Sequence, residues 1–170
     1  HLGCNGNTVV QTPNIDRIAA GGVTFTNAHC AHTSCMPSRA AMFSGLTIQA
    51  MGLHGCNPSI PPDVPTMPQV LVDGGYRTHS AGKLHISSWG QDRFTANRDA
   101  ADPSQYPERH ANWNQGLITE SPDNYFGLQT LDMVTGHVNY ANADYKVWLE
   151  KLHPGDFEKL AASLHNPKPV

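Results

Sequence analysis

The feature that most constrains this chain is the run Thr33-Ser34-Cys35-Met36-Pro37-Ser38-Arg39-Ala40-Ala41-Met42-Phe43-Ser44-Gly45-Leu46. Pro37 lacks an N–H and has its φ preset, so it sits best in the first turn of a helix. The Ala/Met/Phe run after it reads as that helix, from about Ser38 to Gly45. Cys35 therefore falls at or just before a helix N-terminus, where unpaired N–H groups and the helix dipole favour negative charge. Arg39 follows one turn later and adds a full positive charge at the same spot. A thiol so placed is expected to be nucleophilic, and an oxyanion beside it to be well held.

Several chemistries compete for such a cysteine. A cysteine-phosphatase loop would carry its arginine at position 41, which is Ala41, so the spacing fails. His29, Cys30, His32 and Cys35 lie close together, but zinc sites bring paired ligands from two separate elements, and no second matching pair exists. A buried structural cysteine beside a helix cap is the remaining alternative.

The rest of the chain reads as alternating helix and strand. Thr12 is a plausible N-cap with Pro13 opening a helix, Ile15, Ile18 and Ala19 follow at helical spacing, and Gly21-Gly22 closes it. Val23 to Thr26 is β-branched and aromatic, a short strand leading into the loop before Cys35. Residues 52–65 read as a Gly/Pro-rich loop containing Cys56. Thr66 to Val72 reads as a helix with Met67, Val70 and Leu71 on one face and Gly74-Gly75 as its stop. Tyr76 to Ala81 reads as a strand with Gly82-Lys83-Leu84-His85 just beyond its end. Residues 86–127 read as an irregular polar excursion with Trp89 and Trp113. Residues 128–165 supply a strand, Leu128 to Val134, then helices over Ala141 to Leu152 and Asp156 to Leu164. Tyr145, Trp148, Leu149 and Leu152 share a face of the first, Pro154 stops it, and residues 166–170 read as a linker. This order predicts an α/β fold, a largely parallel sheet flanked by helices. Ligands in such sheets bind outside the carboxyl ends of strands, where both motif loops emerge.

Composition excludes some functions. With 11 Lys+Arg against 14 Asp+Glu, and no basic cluster, a nucleic-acid surface is not expected. No apolar run is long enough to span a membrane, and no signal-peptide pattern appears. The four cysteines, 4, 30, 35 and 56, make no dense disulfide framework, and Asn57-Pro58-Ser59 is blocked as a glycosylation acceptor.

Cys35-Met36-Pro37-Ser38-Arg39, continuing to Ser44-Gly45-Leu46, resembles the C-x-P-S-R motif region of the type I sulfatases of the alkaline phosphatase superfamily. Leu2-Gly3-Cys4-Asn5-Gly6-Asn7 and Thr12-Pro13-Asn14-Ile15-Asp16-Arg17-Ile18 resemble two further segments of that family. Gly75-Tyr76-Arg77-Thr78 and Gly82-Lys83-Leu84-His85 resemble its G-Y-x-T and G-K-x-H motifs. The matches keep the family order over a motif core of residues 2–85.

The resemblance implies a sulfuric ester hydrolase in which Cys35 is converted to formylglycine by a maturation enzyme. In the family one hydroxyl of the hydrated aldehyde attacks sulfur and the other then expels sulfate by rebuilding the carbonyl. It implies catalytic roles for Cys35, Arg39, Lys83 and His85: Arg39 stabilising the charged centre, Lys83 binding sulfate oxygens, and His85 serving as the base facing the second hydroxyl. Ser38 is implied to be a motif residue, while His29 and His32 remain ordinary loop histidines. Calcium is implied, with residue 35, as formylglycine, its one ligand from this chain, and Asp16 reading as a helix-start carboxylate.

The family's paired aspartates precede the first motif, and its other ligands, a further lysine and the histidine facing the leaving group come later. Starting at His1 rather than Met, residues 1–170 thus resemble an N-terminal portion of a sulfatase catalytic domain, incomplete at both ends and by itself inactive. Expected substrates are small-molecule or carbohydrate sulfate esters. Phosphonate or phosphate esters are the alternative within the superfamily, and a non-catalytic truncated piece the alternative outside it. The resemblance leans toward a periplasmic or secreted setting; composition fixes no compartment.

Overall fold

The computed structural model describes residues 2–53, 59–88, 102–137 and 140–163. They form two compact units, residues 1–30 and 31–170.

In the first unit a 3-10 turn, Gly3–Asn5, precedes helix α1, Pro13–Ala20. Thr12 and Asp16 join the two. The Thr12 hydroxyl accepts from Gly3 N at 2.8 Å and donates to Asp16 Oδ1 at 2.9 Å, and Cys4 N donates to that same carboxylate oxygen at 2.7 Å. Asp16 is thus a local clasp in the first helical turn, and Thr12 serves the preceding loop instead of capping the helix with its side chain. The expected strand over Val23 to Thr26 does not form: these residues pair with no strand, and Val23 and Phe25 are 79 % and 78 % exposed. A β-branched run becomes a strand only where another backbone row accepts its hydrogen bonds.

The second unit holds a three-stranded sheet. Strand β1, His79–Lys83, pairs in parallel with β2, Thr130–Thr135, from His79↔Thr130 to Lys83↔Val134. The short β3, Asn142–Ala143, runs antiparallel to β2. The fold is mixed α/β with a mostly parallel sheet, as the sequence pattern predicts. Helix α2 spans Cys35–Ser44 and α3 spans Met67–Asp73. They are followed by α4, His110–Asn114, α5, Asp144–Leu152, and α6, Asp156–Ser163.

Helix α2 starts at Cys35, three residues earlier than Pro37-Ser38 suggested, because Ser34 is extended and Cys35 already takes helical backbone. Met36, Ala40 and Phe43 turn inward and pack with Ile48, Met51, Leu53, Ile60, Leu84, Ile86, Trp113, Leu128 and Met133. Each large apolar side chain so covered contributes roughly 1.5–3 kcal/mol. Gly45, left-handed at φ 70°, ends the helix.

β1 begins three residues later than Tyr76-to-Ala81 and takes in Gly82 and Lys83, so only Leu84 and His85 lie beyond its end. Its start is set by Thr78, whose N–H donates to the Gln129 side chain at 3.2 Å and whose hydroxyl donates to Gly127 O at 2.6 Å. The apolar face expected on α3 is exposed at Met67 and Val70; Pro68 is the residue buried there.

The irregular excursion has more order than composition implies. Residues 89–101 lie outside the described residues, but Pro103–Gln105 forms a 3-10 turn and α4 follows. Trp113 anchors it, its indole N–H donating to Pro107 O at 2.6 Å. The helix expected from Ala141 starts at Asp144, because Asn142 and Ala143 are taken up by β2. The Asp144 carboxylate accepts from Met133 N at 2.7 Å and from both the amide and hydroxyl of Ser121. Leu149 is the buried residue of the α5 face; Trp148 and Leu152 are largely exposed. Cys56, Trp89, Leu164 and the tail at 166–170 lie outside the described residues.

Candidate active site

Two structural termini converge in the second unit: the N-terminus of α2 and the C-terminal end of β1. Cys35 is the first residue of α2, half-buried and in no disulfide. Ser34 provides no side-chain cap, so first-turn N–H groups keep their affinity for an anion. Across from it, Cys35 Sγ lies 3.1 Å from His85 Nδ1. Arg39, one turn into α2, donates from Nη1 to the main-chain oxygen of Lys83 at 2.8 Å. The four residues singled out from sequence, Cys35, Arg39, Lys83 and His85, are therefore brought together.

Two histidines that the motifs do not mark join them. Lys83 Nζ is 3.2 Å from His137 Nε2, His137 lying just past the end of β2 on the exposed side. His110, opening α4, lays its ring against Gly136: a Cβ there would come within 2.7 Å of His110 Cε1, and Gly136 has φ 86°. Only glycine accepts both that approach and that backbone. Parallel pairing explains the meeting: Lys83 is in register with Val134, so whatever follows β2 emerges beside it. A residue shortly after a strand's carboxyl end is the signal that could have flagged His137.

Electrostatics follow from the crowding of cations. Burial first, then Lys83, Arg39, His137 and His110, lower the His85 pKa from 6.5 to about 4. His85 is thus a neutral imidazole near pH 7, able to accept a proton. Burial, then His137 and Lys83, also lower that of His110. An anion arriving among these groups would meet the Lys83 ammonium and the Arg39 guanidinium beside a neutral His85.

His85 itself is 2 % exposed and has a left-handed backbone, φ 51°. Such a conformation costs a non-glycine residue roughly 1–3 kcal/mol and persists only where its surroundings hold it.

Asp16 is committed to the Gly3–Asn5 turn, His29 is exposed in the first unit, and His32 Nδ1 accepts from Ser34 N at 2.8 Å. Calcium takes six to eight oxygen ligands. Among the described residues no group of three or more His, Cys, Asp or Glu is gathered for a metal, and the groups around position 35 are nitrogen donors. They do not make a calcium site on their own.

The protein-family model described as Sulfatase matches residues 1–154. This chain belongs to the sulfatase family. The match runs well past the motif core, through β2, β3 and α5, where no motif is legible. Human arylsulfatase A is 37 % identical over 91 residues, 50 % of this chain and 18 % of that protein. Human steryl-sulfatase is 37 % identical over 95 residues, 49 % of this chain and 16 % of that one. The N-acetylglucosamine-6-O-sulfatase of Bacteroides thetaiotaomicron is 34 % identical over 87 residues, 51 % of this chain and 16 % of its own length. The chain thus matches less than a fifth of the length of each of these sulfatases.

Proposed function

We propose that the protein to which this segment contributes hydrolyses a sulfate ester, with residue 35 acting after conversion to formylglycine. The observation that carries the reading is the 3.1 Å approach of Cys35 Sγ to His85 Nδ1 beside Lys83, within a sulfatase-family sequence. The cysteine sulfur stands where a hydroxyl of the hydrated aldehyde would be. When formed, formylglycine supplies one hydroxyl as nucleophile and a second through which sulfate is released.

The chain's own residues supply the rest. Neutral His85 accepts and holds a proton at Nδ1 from the hydroxyl at position 35. Lys83 binds the anionic sulfuryl oxygens, and the α2 N-terminus adds its dipole to the same charge. Arg39 contributes positive charge and, through its bond to Lys83 O, keeps residues 35 and 83 in a fixed relation. His137 Nε2, 3.2 Å from the Lys83 ammonium, can accept from it and help hold it in place. The maturation enzyme would read the Cys35-Met36-Pro37-Ser38-Arg39 segment. Calcium belongs to this reading only through ligands from outside the described residues, and no step here passes through it. Substrates are small-molecule or carbohydrate sulfates, the range spanned by the names of the three relatives.

The test is turnover of paired aryl sulfate and aryl phosphonate esters by full-length protein matured at Cys35, with peptide mass analysis of that residue. A sulfate preference together with an aldehyde at position 35 supports the proposal. A phosphonate preference moves the enzyme to the alternative within the superfamily, and activity with an unmodified thiol removes the formylglycine role. A second reading, that residues 1–170 alone are non-catalytic, is favoured by the lack, among the described residues, of any gathered group of three His, Cys, Asp or Glu. Turnover by the 170-residue chain with calcium added would defeat it.

A further inference from the structure

Behind His85 lies a carboxylate that the chemistry above does not use. Glu108 is 0 % exposed, and one of its oxygens gathers four donors. Oε1 accepts from Ile86 N at 2.9 Å, Ser87 N at 3.1 Å, the Ser87 hydroxyl at 3.3 Å and the Tyr125 hydroxyl at 3.1 Å. Oε2 has no hydrogen-bond partner among the described residues. Burying a carboxyl is costly, so its placement calls for a reason beyond filling space.

The first two donors are the main-chain amides immediately following His85, the residue held at φ 51°. The next links extend the same restraint: Ile60 N donates to Ile86 O at 3.1 Å, and Ser88 N to Ser59 Oγ at 3.0 Å. Glu108 in turn stands on a braced platform. Trp113 donates to Pro107 O, and the Asn112 side-chain amide donates to Pro103 O and Tyr106 O at 3.2 and 3.1 Å. A left-handed imidazole-bearing residue is thus fixed from behind by a group on a rigid support.

We propose that Glu108 is the positioning residue for His85: by holding the Ile86 and Ser87 amides it keeps His85 left-handed, with Nδ1 aimed at the side chain of residue 35. It touches no substrate and acts only through His85. The assignment builds on the proposed sulfatase chemistry, but its geometry concerns the Cys35–His85 contact, which can be read without any ester.

Two readouts separate the two ideas. In the full chain produced without maturation, the rate of Cys35 alkylation by iodoacetamide at one fixed neutral pH, followed by peptide mass analysis, senses His85 beside the thiol. In the matured enzyme, kcat and KM on an aryl sulfate sense the same geometry through catalysis. E108A, with folding checked by near-ultraviolet circular dichroism, is expected to move the alkylation rate about three- to ten-fold, to the value of H85A. In the H85A background it should add nothing further, because residues acting as one unit are not additive. In the matured enzyme E108A should lower kcat about 10- to 100-fold with KM within about two-fold. E108Q, which keeps an acceptor for both amides, should stay within about three-fold of the parent in both assays.

A folded E108A with the parent alkylation rate, or one equally altered in the presence and absence of His85, overturns the proposal. Should E108A not fold, E108D, whose acceptor reaches about 1.5 Å less far, replaces it. If neither folds, Glu108 is a core group and the positioning role is withdrawn. If the matured parent turns over no sulfate ester, the functional proposal fails while the alkylation result still decides this one.

Discussion

At the N-terminal end of the β1–β2 pair, the chain is clasped by neutral groups. The Thr66 hydroxyl donates to Phe126 O and the Thr78 hydroxyl to Gly127 O, both at 2.6 Å, while Gln129 N donates back to Thr78 Oγ1 at 3.1 Å. Gly127, at φ 82°, lies so close to the Pro68–Gln69 backbone that a Cβ would overlap it. At the carboxyl end of the same two strands stand Lys83, His85 and His137, with Arg39 and His110 against them. One end is clasped chiefly by threonine hydroxyls and main-chain carbonyls. The other brings like charges together and holds a histidine in a strained backbone. The contrast teaches that stability and chemistry are divided along the strand axis, so substitutions at the two ends should fail in different assays.

The largest effect that can break this contrast is Cys35→Ala. Relative to the matured parent it should reduce kcat by about 10⁴-fold or more while moving the thermal midpoint little, since the side chain is half-buried. Steady-state kinetics and calorimetry on one sample check both halves; retention of a tenth of the activity would sink the site. Next comes Lys83→Met, expected to lower kcat/KM on a sulfate ester by about 10²–10³-fold. Its midpoint should be equal or higher, because one cation beside His85 and His137 is gone.

Gly127→Ala tests the opposite end. It should destabilise by roughly 2–4 kcal/mol in denaturant unfolding, through backbone overlap and a forced φ, with kcat of the folded fraction unchanged. Thr78→Val should cost about 1–2 kcal/mol with activity intact. A large kcat loss in either variant would dissolve the division.

The smallest effect is a pH slope. The folded His85 pKa is about 4 against the ordinary 6.5 of a solvated imidazole. Between those values the unfolded chain binds the proton and the folded chain does not, so stability rises with pH from about 4 to 6.5 and this contribution is flat above. H85Q should flatten that part of the slope, as read from denaturation midpoints across pH.

Sequence makes the cluster at the carboxyl end of β1 legible where its residues lie close along the chain. Pro37, Arg39 and Gly45 mark a helix start and stop within a few residues, and Lys83 and His85 share one motif. It makes the joining groups less legible: only the position of His137 just past a strand's carboxyl end hints at them. His110 and His137 reach the cluster through tertiary packing and strand register, and nothing in their neighbours' identities announces that. Glu108 was hidden for the same reason, its donors lying more than 15 residues away along the chain in either direction. Strand boundaries slipped because partners set them: Thr78 and Gln129 fix where β1 begins, and Val23 to Thr26, lacking a partner, stayed unpaired.

Arg39 grips residue 83 by its peptide oxygen and not by its side chain. Every amino acid offers that oxygen, so the frame is indifferent to which residue occupies the position. An engineer can therefore exchange the ammonium for another head group, and with it the anion preference proposed above, leaving the scaffold that aligns it in place.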